Sequence, residues 1–207
     1  MSPPGSRPRF AGWRSPMTAM GKGATMEKKN LWEFGTRQVV YGAIGAALYG
    51  VLSWLTNVFP LPAAGNISFR PAVAVLVFFG VAYGPWVGLI AGLVGNTLGD
   101  AITGWGLYWN WSLGNGLMGM LPGLAMAMIA DYRSGKSIRT GILYGALGIG
   151  VGMLFASLTE MFTSGIDIST ALGGYFLPAF IGNLIVVAIL LPILMIAYQA
   201  VAAGRGR

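Results

Sequence analysis

Long apolar stretches alternate with short polar or Gly/Pro-rich breaks along almost the whole chain. The apolar stretches predict helical spans at about 37–59, 70–83, 86–103, 111–130, 140–162 and 171–201. About 20 apolar residues in a helix are enough to cross a hydrocarbon layer about 30 Å thick. The pattern therefore predicts an all-α, polytopic membrane protein built as a bundle of six transmembrane helices.

The boundary between the second and third spans rests on one break in a long apolar run. Residues 71–103 would form a helix roughly 50 Å long, which exceeds the thickness of the bilayer core. Tyr83-Gly84-Pro85 interrupts this run, and proline disfavours helix continuation through itself and the preceding residue. We therefore expect a short second span that ends here and a third span that follows at once.

The distribution of basic residues predicts the orientation. With six spans and the N-terminus inside, 12 of the 13 Lys and Arg residues fall on the cytoplasmic side, and Arg70 is the exception. Loops rich in Lys and Arg face the cytoplasm. This predicts a basic, disordered cytoplasmic tail at 1–30, a membrane domain at 31–203, and a basic cytoplasmic tail at 204–207. Both termini would lie on the cytoplasmic side of a prokaryotic plasma membrane. This arrangement explains the net charge of +7 without a nucleic acid partner.

Composition narrows the chemistry further. The chain is 55% hydrophobic and 9% charged, whereas soluble domains carry about 25% charged residues. It contains no Cys, so disulfides and thiol chemistry are excluded. It also contains no His, which is the commonest metal ligand and general base. A P-loop pattern for ATP is also absent from the sequence. We therefore expect no enzyme activity, no cofactor and no metal in this chain.

Polar and aromatic residues gather near the predicted outer ends of the spans. Asn96 and Asp100 are four apart on one helix face, as are Trp111 and Asn115. If the six helices form a bundle, these groups converge on one outward-facing cavity. Flat aromatics and amides suit a planar, polar, vitamin-sized molecule. The candidate substrate-binding residues are Asn96, Asp100, Trp109, Trp111 and Asn115, followed by Arg70, Glu160 and Tyr175.

Structural explanations compete with this interpretation. Trp and Tyr commonly form belts at the membrane interface. Asp100 or Glu160 could simply pair with Arg70 as a structural tie, and Asn115 and Asn183 could hold helices together by hydrogen bonds. A membrane enzyme with Asp100 and Glu160 as an acid–base pair is a further, weaker alternative.

The first span carries small residues at regular spacing. Gly42, Ala46 and Gly50 form one series of small residues four apart, and Ala43 and Ala47 form another. Such patterns allow close approach of helices. They predict either internal packing or docking onto another membrane subunit, and we assign all five residues to a docking face.

Several motifs resemble those of the substrate-binding S components of energy-coupling factor (ECF) vitamin transporters, and most closely the riboflavin group. The resemblance covers about residues 37–199, although that group usually has Gly-His where this chain has Gly95-Asn96. The motifs are Ala43-x-x-x-Ala47, Asn66-Ile-Ser-Phe-Arg-Pro71, Val81-Ala-Tyr-Gly84-Pro85-Trp-Val-Gly88, Gly92-Leu-Val-Gly95-Asn96-Thr-Leu-Gly99-Asp100 and Trp109-Asn-Trp111.

The resemblance implies six helices and a vitamin, riboflavin first, bound near the outer face under the loop between spans one and two. It also implies that Ala43 and Ala47 dock onto a transmembrane T component, with two cytoplasmic ATPases supplying the energy. The alternatives are a stand-alone secondary transporter and a structural membrane subunit. The apolar inner half of the predicted bundle and the lack of an inverted repeat disfavour a secondary transporter.

Overall fold

The computed structural model describes residues 30–57 and 68–204. These two ranges are helical, with no β-strand in either. Asn66 and nearly all of the two predicted tails lie outside the described residues. The helices are α1 (Thr36–Thr56), α2 (Ala72–Tyr83), α3 (Pro85–Thr103), α4 (Trp109–Met120) with a 3₁₀ segment (Leu121–Met128), α5 (Gly135–Thr163), and a π-helical segment (Thr170–Phe176) that leads into α6 (Leu177–Gly204).

Successive helices run in alternating directions, as contacts between their ends show. Asn57 at the end of α1 donates a hydrogen bond from Nδ2 to Oγ1 of Thr103 at the end of α3 (2.8 Å). At the other end of the bundle, Tyr41 in α1 stacks on Tyr83, the last residue of α2 (ring centroids 4.5 Å apart). Tyr198, near the end of α6, also contacts Tyr83 (ring centroids 6.0 Å apart). The two ends of the described chain therefore lie at the same end of the bundle, and the predicted candidate residues lie at the other end.

Helix α2 forms the centre of the bundle. Its sequence is apolar all round and nine of its 12 residues are buried, as expected for a helix surrounded by others. It packs against α1, α3, α6 and the 3₁₀ segment. This central position holds Arg70, two residues before the helix begins, over the middle of the bundle.

The predicted break between the second and third spans is confirmed. Gly84 has φ 100° and lies between α2 and α3, and Pro85 is the first residue of α3. A side chain at Gly84 would strain this positive-φ backbone, and proline is well tolerated at the first turn of a helix. The two residues together allow α3 to turn back along α2.

Glycines bring α3 and α4 into backbone contact. A Cβ atom added at Gly88 would overlap the carbonyl oxygen of Gly119, and one added at Gly92 would overlap that of Asn115. Close crossings of this kind need residues without side chains. They fix the register between the two helices, and hence the position of the polar residues at their ends.

Three predicted spans differ in detail from the structure. The fifth, predicted at 140–162, belongs to a helix that already begins at Gly135. The fourth, predicted at 111–130, begins at Trp109 and changes from α to 3₁₀ geometry after Met120. Pro122 accounts for the change, because its ring cannot fit inside a regular α-helix. The sixth, predicted at 171–201, begins with a π-helical turn before Pro178, which lacks the amide hydrogen that a regular turn would need.

The outer surface of the bundle is apolar. By length and composition, three of the described helical stretches can cross a membrane, Thr36–Thr56, Gly135–Thr163 and Thr170–Ala203, and Ala72–Tyr83 is a shorter apolar helix. Exposed isoleucines recur on α6 at helical spacing, which suits contact with lipid. They are Ile181, Ile185, Ile189, Ile193 and Ile196. The six-span count and the N-in orientation stay predictions.

Candidate functional site

A cavity of about 240 Å³ opens at the end of the bundle where α1, α3 and α5 finish. Typical small-molecule pockets measure about 300–1,000 Å³, so this one suits a small ligand. Polar side chains from different helices meet in it beside aromatic and apolar ones. Its lining consists of Ser68, Arg70, Val73, Asn96, Asp100, Trp105, Tyr108, Trp111, Asn115, Met153, Glu160, Ser164, Tyr175, Ala179 and Asn183.

One wall is an arginine held between an amide and a carboxylate. Arg70 donates from Nη1 to Asn96 Oδ1 (3.1 Å), and its Nη2 lies 4.0 Å from Asp100 Oδ1. Asn96 Nδ2 in turn donates to Asp100 Oδ2 (2.7 Å) and to Ser112 Oγ (3.3 Å). The guanidinium also lies over the ring of Trp105, 5.8 Å from its centroid. The four-residue spacing of Asn96 and Asp100 thus builds a rigid polar wall on α3.

A second wall centres on a buried carboxylate on α5. Glu160 is only 4% exposed. Its Oε2 accepts hydrogen bonds from Asn110 Nδ2 (2.7 Å) and Trp111 Nε1 (2.8 Å), and its Oε1 accepts one from Ser164 Oγ. Because all three partners are neutral, this wall keeps its negative charge uncompensated.

The side chain of Asn115, which also lines the cavity, is hydrogen-bonded to two aromatic residues. Tyr49 of α1 donates from its hydroxyl to Asn115 Oδ1 (2.5 Å), and Asn115 Nδ2 donates to the carbonyl of Trp111 (2.8 Å). The rings of Trp111 and Tyr175 lie 6.1 Å apart at 35°. Asn115 is therefore fixed in position, and an aromatic surface borders the space beside it.

Seven of the eight residues predicted to bind substrate line this cavity, and Trp109 does not. Trp109 is 59% exposed, so its predicted place in the pocket is wrong. It is the first residue of α4, and the helix turns Trp111, two positions on, toward the bundle. Trp105 and Tyr108, in the aromatic cluster just before α4, line the cavity instead.

Some lining residues carried little signal in the sequence. Ser68, Val73, Met153, Ser164 and Ala179 are small or apolar types, although Ser164 lies one helical turn after Glu160 and Ala179 one turn after Tyr175. Asn183, considered above as an interhelical tie, lines the cavity, and its Nδ2 lies 4.0 Å from Met118 Sδ.

Asp167 lies outside this cavity in the loop after α5. It is exposed, and its Oδ1 accepts hydrogen bonds from the backbone N–H of Thr170 (2.7 Å) and from Ser169 Oγ (2.7 Å). These donors, first the Thr170 N–H, hold the pKa of Asp167 below its usual value. The carboxylate thus caps the segment that leads into α6.

The small residues of α1 divide between two faces. Gly42, Ala46 and Gly50 are buried, and a Cβ at Gly42 would meet Ile90 while one at Gly50 would meet the Gly95 carbonyl of α3. These three residues pack inside the bundle, which corrects their assignment to a docking face. Ala43 and Ala47 are exposed.

The opposite end of the bundle is less apolar than the sequence indicated. A second cavity of about 550 Å³ lies there. Arg37 and Glu33 border it together with Tyr41, Tyr132 and Tyr198. Trp86 closes one side, since its Nε1 donates to the carbonyl of Trp32 (3.3 Å).

Comparison with known proteins identifies a family and relatives of this chain. Residues 33–200 match the family model described as "ECF-type riboflavin transporter, S component". A UPF0397 protein from Vibrio atlanticus (strain LGP32) is 43% identical over 91 residues, which is 44% of this chain and 49% of the Vibrio protein. The similarity thus spans about half the length of that relative.

Proposed function

Because this chain belongs to the family of S components of ECF-type riboflavin transporters, we propose that its cavity captures a vitamin-like micronutrient at the outer face of the plasma membrane. The subunit delivers this substrate inward as part of an importer. Binding takes place in this chain, and partner subunits supply the energy.

The convergence of seven predicted residues on one cavity carries this proposal. Trp111 and Tyr175 offer ring faces on which a flat ligand can stack. Asn115 and the Arg70–Asn96 wall offer donors and acceptors for the edge of its ring. This combination of an apolar surface with a few fixed polar groups is typical of small-molecule sites. Riboflavin is the first substrate to test because of the family to which the chain belongs.

Binding of riboflavin is the direct test. The protein, purified in detergent, should quench flavin fluorescence on titration, and any co-purifying compound is identified by mass spectrometry. Asn96→Ala should weaken binding about tenfold, since it removes the acceptor that orients Arg70, a loss worth about 1.4 kcal/mol. Asn30→Ala, at the other end of the bundle, is the matched control. Equal affinity in the two variants would remove Asn96 from the site.

The proposed partners are a transmembrane T component and two cytoplasmic ATPases. The exposed face of α1 supports a docking role, because Ala43 and Ala47 leave its centre flat between larger apolar residues. The flanking residues are Val40, Ile44, Leu48 and Val51. Small residues at four-residue spacing allow a second helix to approach closely.

Bulky substitutions on this face should separate binding from transport. Ala43→Trp and Ala47→Trp are each expected to leave ligand affinity unchanged and to abolish uptake in cells that contain the partner subunits. The reason is steric, since both side chains point away from the bundle and the cavity. Leu143→Trp, at another exposed apolar position, is the control. Normal uptake by both alanine variants would exclude this face from docking.

A further inference from the structure

The charges that line the cavity do not balance. Its lining contains three ionic side chains, Arg70, Asp100 and Glu160. Arg70 and Asp100 face each other at 4.0 Å and offset one another. In the part of the chain that the structure describes, no Lys or Arg nitrogen lies within 4.0 Å of the Glu160 carboxylate. One negative charge therefore remains for a ligand to neutralise.

Neutral donors surround the Glu160 carboxylate. Asn110, Trp111 and Ser164 donate hydrogen bonds to its oxygens, and the hydroxyl of Thr163 interacts with it as well. Asn110 approaches from outside the cavity lining, whereas Trp111 and Ser164 are part of it. The carboxylate is thus held at the cavity wall by neutral groups that leave its negative charge unpaired.

An aromatic surface lies beside this carboxylate. Trp111 donates its ring N–H to Glu160, which fixes the indole, and Tyr175 lies 6.1 Å from it. Indole and phenol faces attract cations, and the attraction grows when water is excluded. A buried carboxylate next to two such rings is a favourable environment for a positively charged flat group.

The wall around Arg70 requires the opposite chemistry. The guanidinium has five N–H donors, of which one is used by Asn96 and another interacts with the Tyr49 hydroxyl. Because Asp100 already offsets its charge, the remaining donors suit a neutral acceptor such as a carbonyl oxygen or ring nitrogen rather than an anion. The two walls together define a ligand with two different ends.

We propose that the ligand of this cavity is a cationic nitrogen heterocycle, with its positive group against Glu160 and Trp111 and a neutral acceptor edge toward Arg70. The inference rests on the proposed function, since it specifies the substrate class of the same site. Riboflavin has no positive charge, so the chain would select a different member of the micronutrient class.

The test compares two compounds of nearly equal shape and different charge. Thiamine carries a thiazolium ring and an aminopyrimidine, and deazathiamine replaces the thiazolium with a neutral thiophene. Binding of each, and of riboflavin, is measured by calorimetry on the detergent-purified chain. Thiamine should bind at least tenfold more tightly than deazathiamine. Glu160→Gln should abolish that preference, whereas Asp167→Asn, which neutralises an exposed carboxylate outside the cavity, should preserve it.

Each outcome bears on the inference. A preference for thiamine that depends on Glu160 supports it. Equal or tighter binding of deazathiamine, or a preference that survives Glu160→Gln, overturns it and leaves the proposed function standing. Binding of riboflavin alone likewise overturns the inference and supports the function. If none of the three compounds binds to folded protein, the inference is overturned, and the proposed function then depends on whether mass spectrometry identifies another co-purifying ligand.

Discussion

Gly88→Ala is expected to lower the free energy of unfolding by about 3 kcal/mol, the upper part of the range for overpacked cores. The added Cβ would overlap the carbonyl oxygen of Gly119 on α4. Backbone atoms cannot rotate away as a side chain can, so α3 and α4 would have to separate along their whole crossing. The loss is measured as denaturant unfolding of the detergent-purified protein, followed by circular dichroism.

Gly150→Ala provides the matched control for this prediction. A Cβ at Gly150 would meet only Phe180 Cε2 at 3.6 Å, an ordinary contact. In the middle of α5 this change should keep or raise stability, since alanine favours helix by about 1 kcal/mol over glycine. If the two variants unfold alike, the α3–α4 crossing is looser than the structure indicates.

Much of the helical layout could be predicted from the sequence because its signals are local. The break at Gly84-Pro85 depends on two residues whose backbone preferences are intrinsic. The shift to 3₁₀ geometry after Met120 was missed, although Pro122 was visible, because a proline can either kink or end a helix. Which of these occurs depends on the packing of neighbouring helices, and the sequence does not give that packing.

The candidate site was predictable where residues are spaced by one helical turn. Asn96 and Asp100 share a face of α3 whatever the rest of the fold does. Trp109 could not be excluded in the same way, since the first residue of a helix can face either side until the loop before it is known. The choice between Asp100 and Glu160 as the partner of Arg70 likewise needed the three-dimensional arrangement.

The sequence also could not show which small residues of α1 face the inside of the bundle. Two interleaved series, Gly42–Ala46–Gly50 and Ala43–Ala47, are equally able to accept a helix. Position along the chain does not reveal which series faces α3. The rotation of α1 about its axis is set by contacts such as Gly50 against Gly95, which come from distant parts of the sequence.

Asp100→Ala should reduce both stability and ligand affinity, whereas adding Arg70→Ala should restore only stability. The single change leaves the guanidinium of Arg70, 15% exposed, without its carboxylate. Removing one member of a buried pair costs about 3–5 kcal/mol. We expect about 1–3 kcal/mol here, since the pair is at 4.0 Å and Arg70 keeps Asn96 as a partner. The double variant removes the unpaired charge as well, so its unfolding should return toward that of the unmodified protein.

Ligand affinity separates this pair's function from its structural role. The double variant lacks the donors of Arg70 and the carboxylate that orients Asn96, so its affinity for the ligand found by mass spectrometry should stay at least tenfold weaker. Unfolding and titration are run on the same samples, with Glu33→Ala, an exposed carboxylate at the opposite end, as the control. If the double variant regains full affinity, Arg70 and Asp100 form only a structural tie, and recognition depends on the Glu160 wall and the aromatic rings beside it.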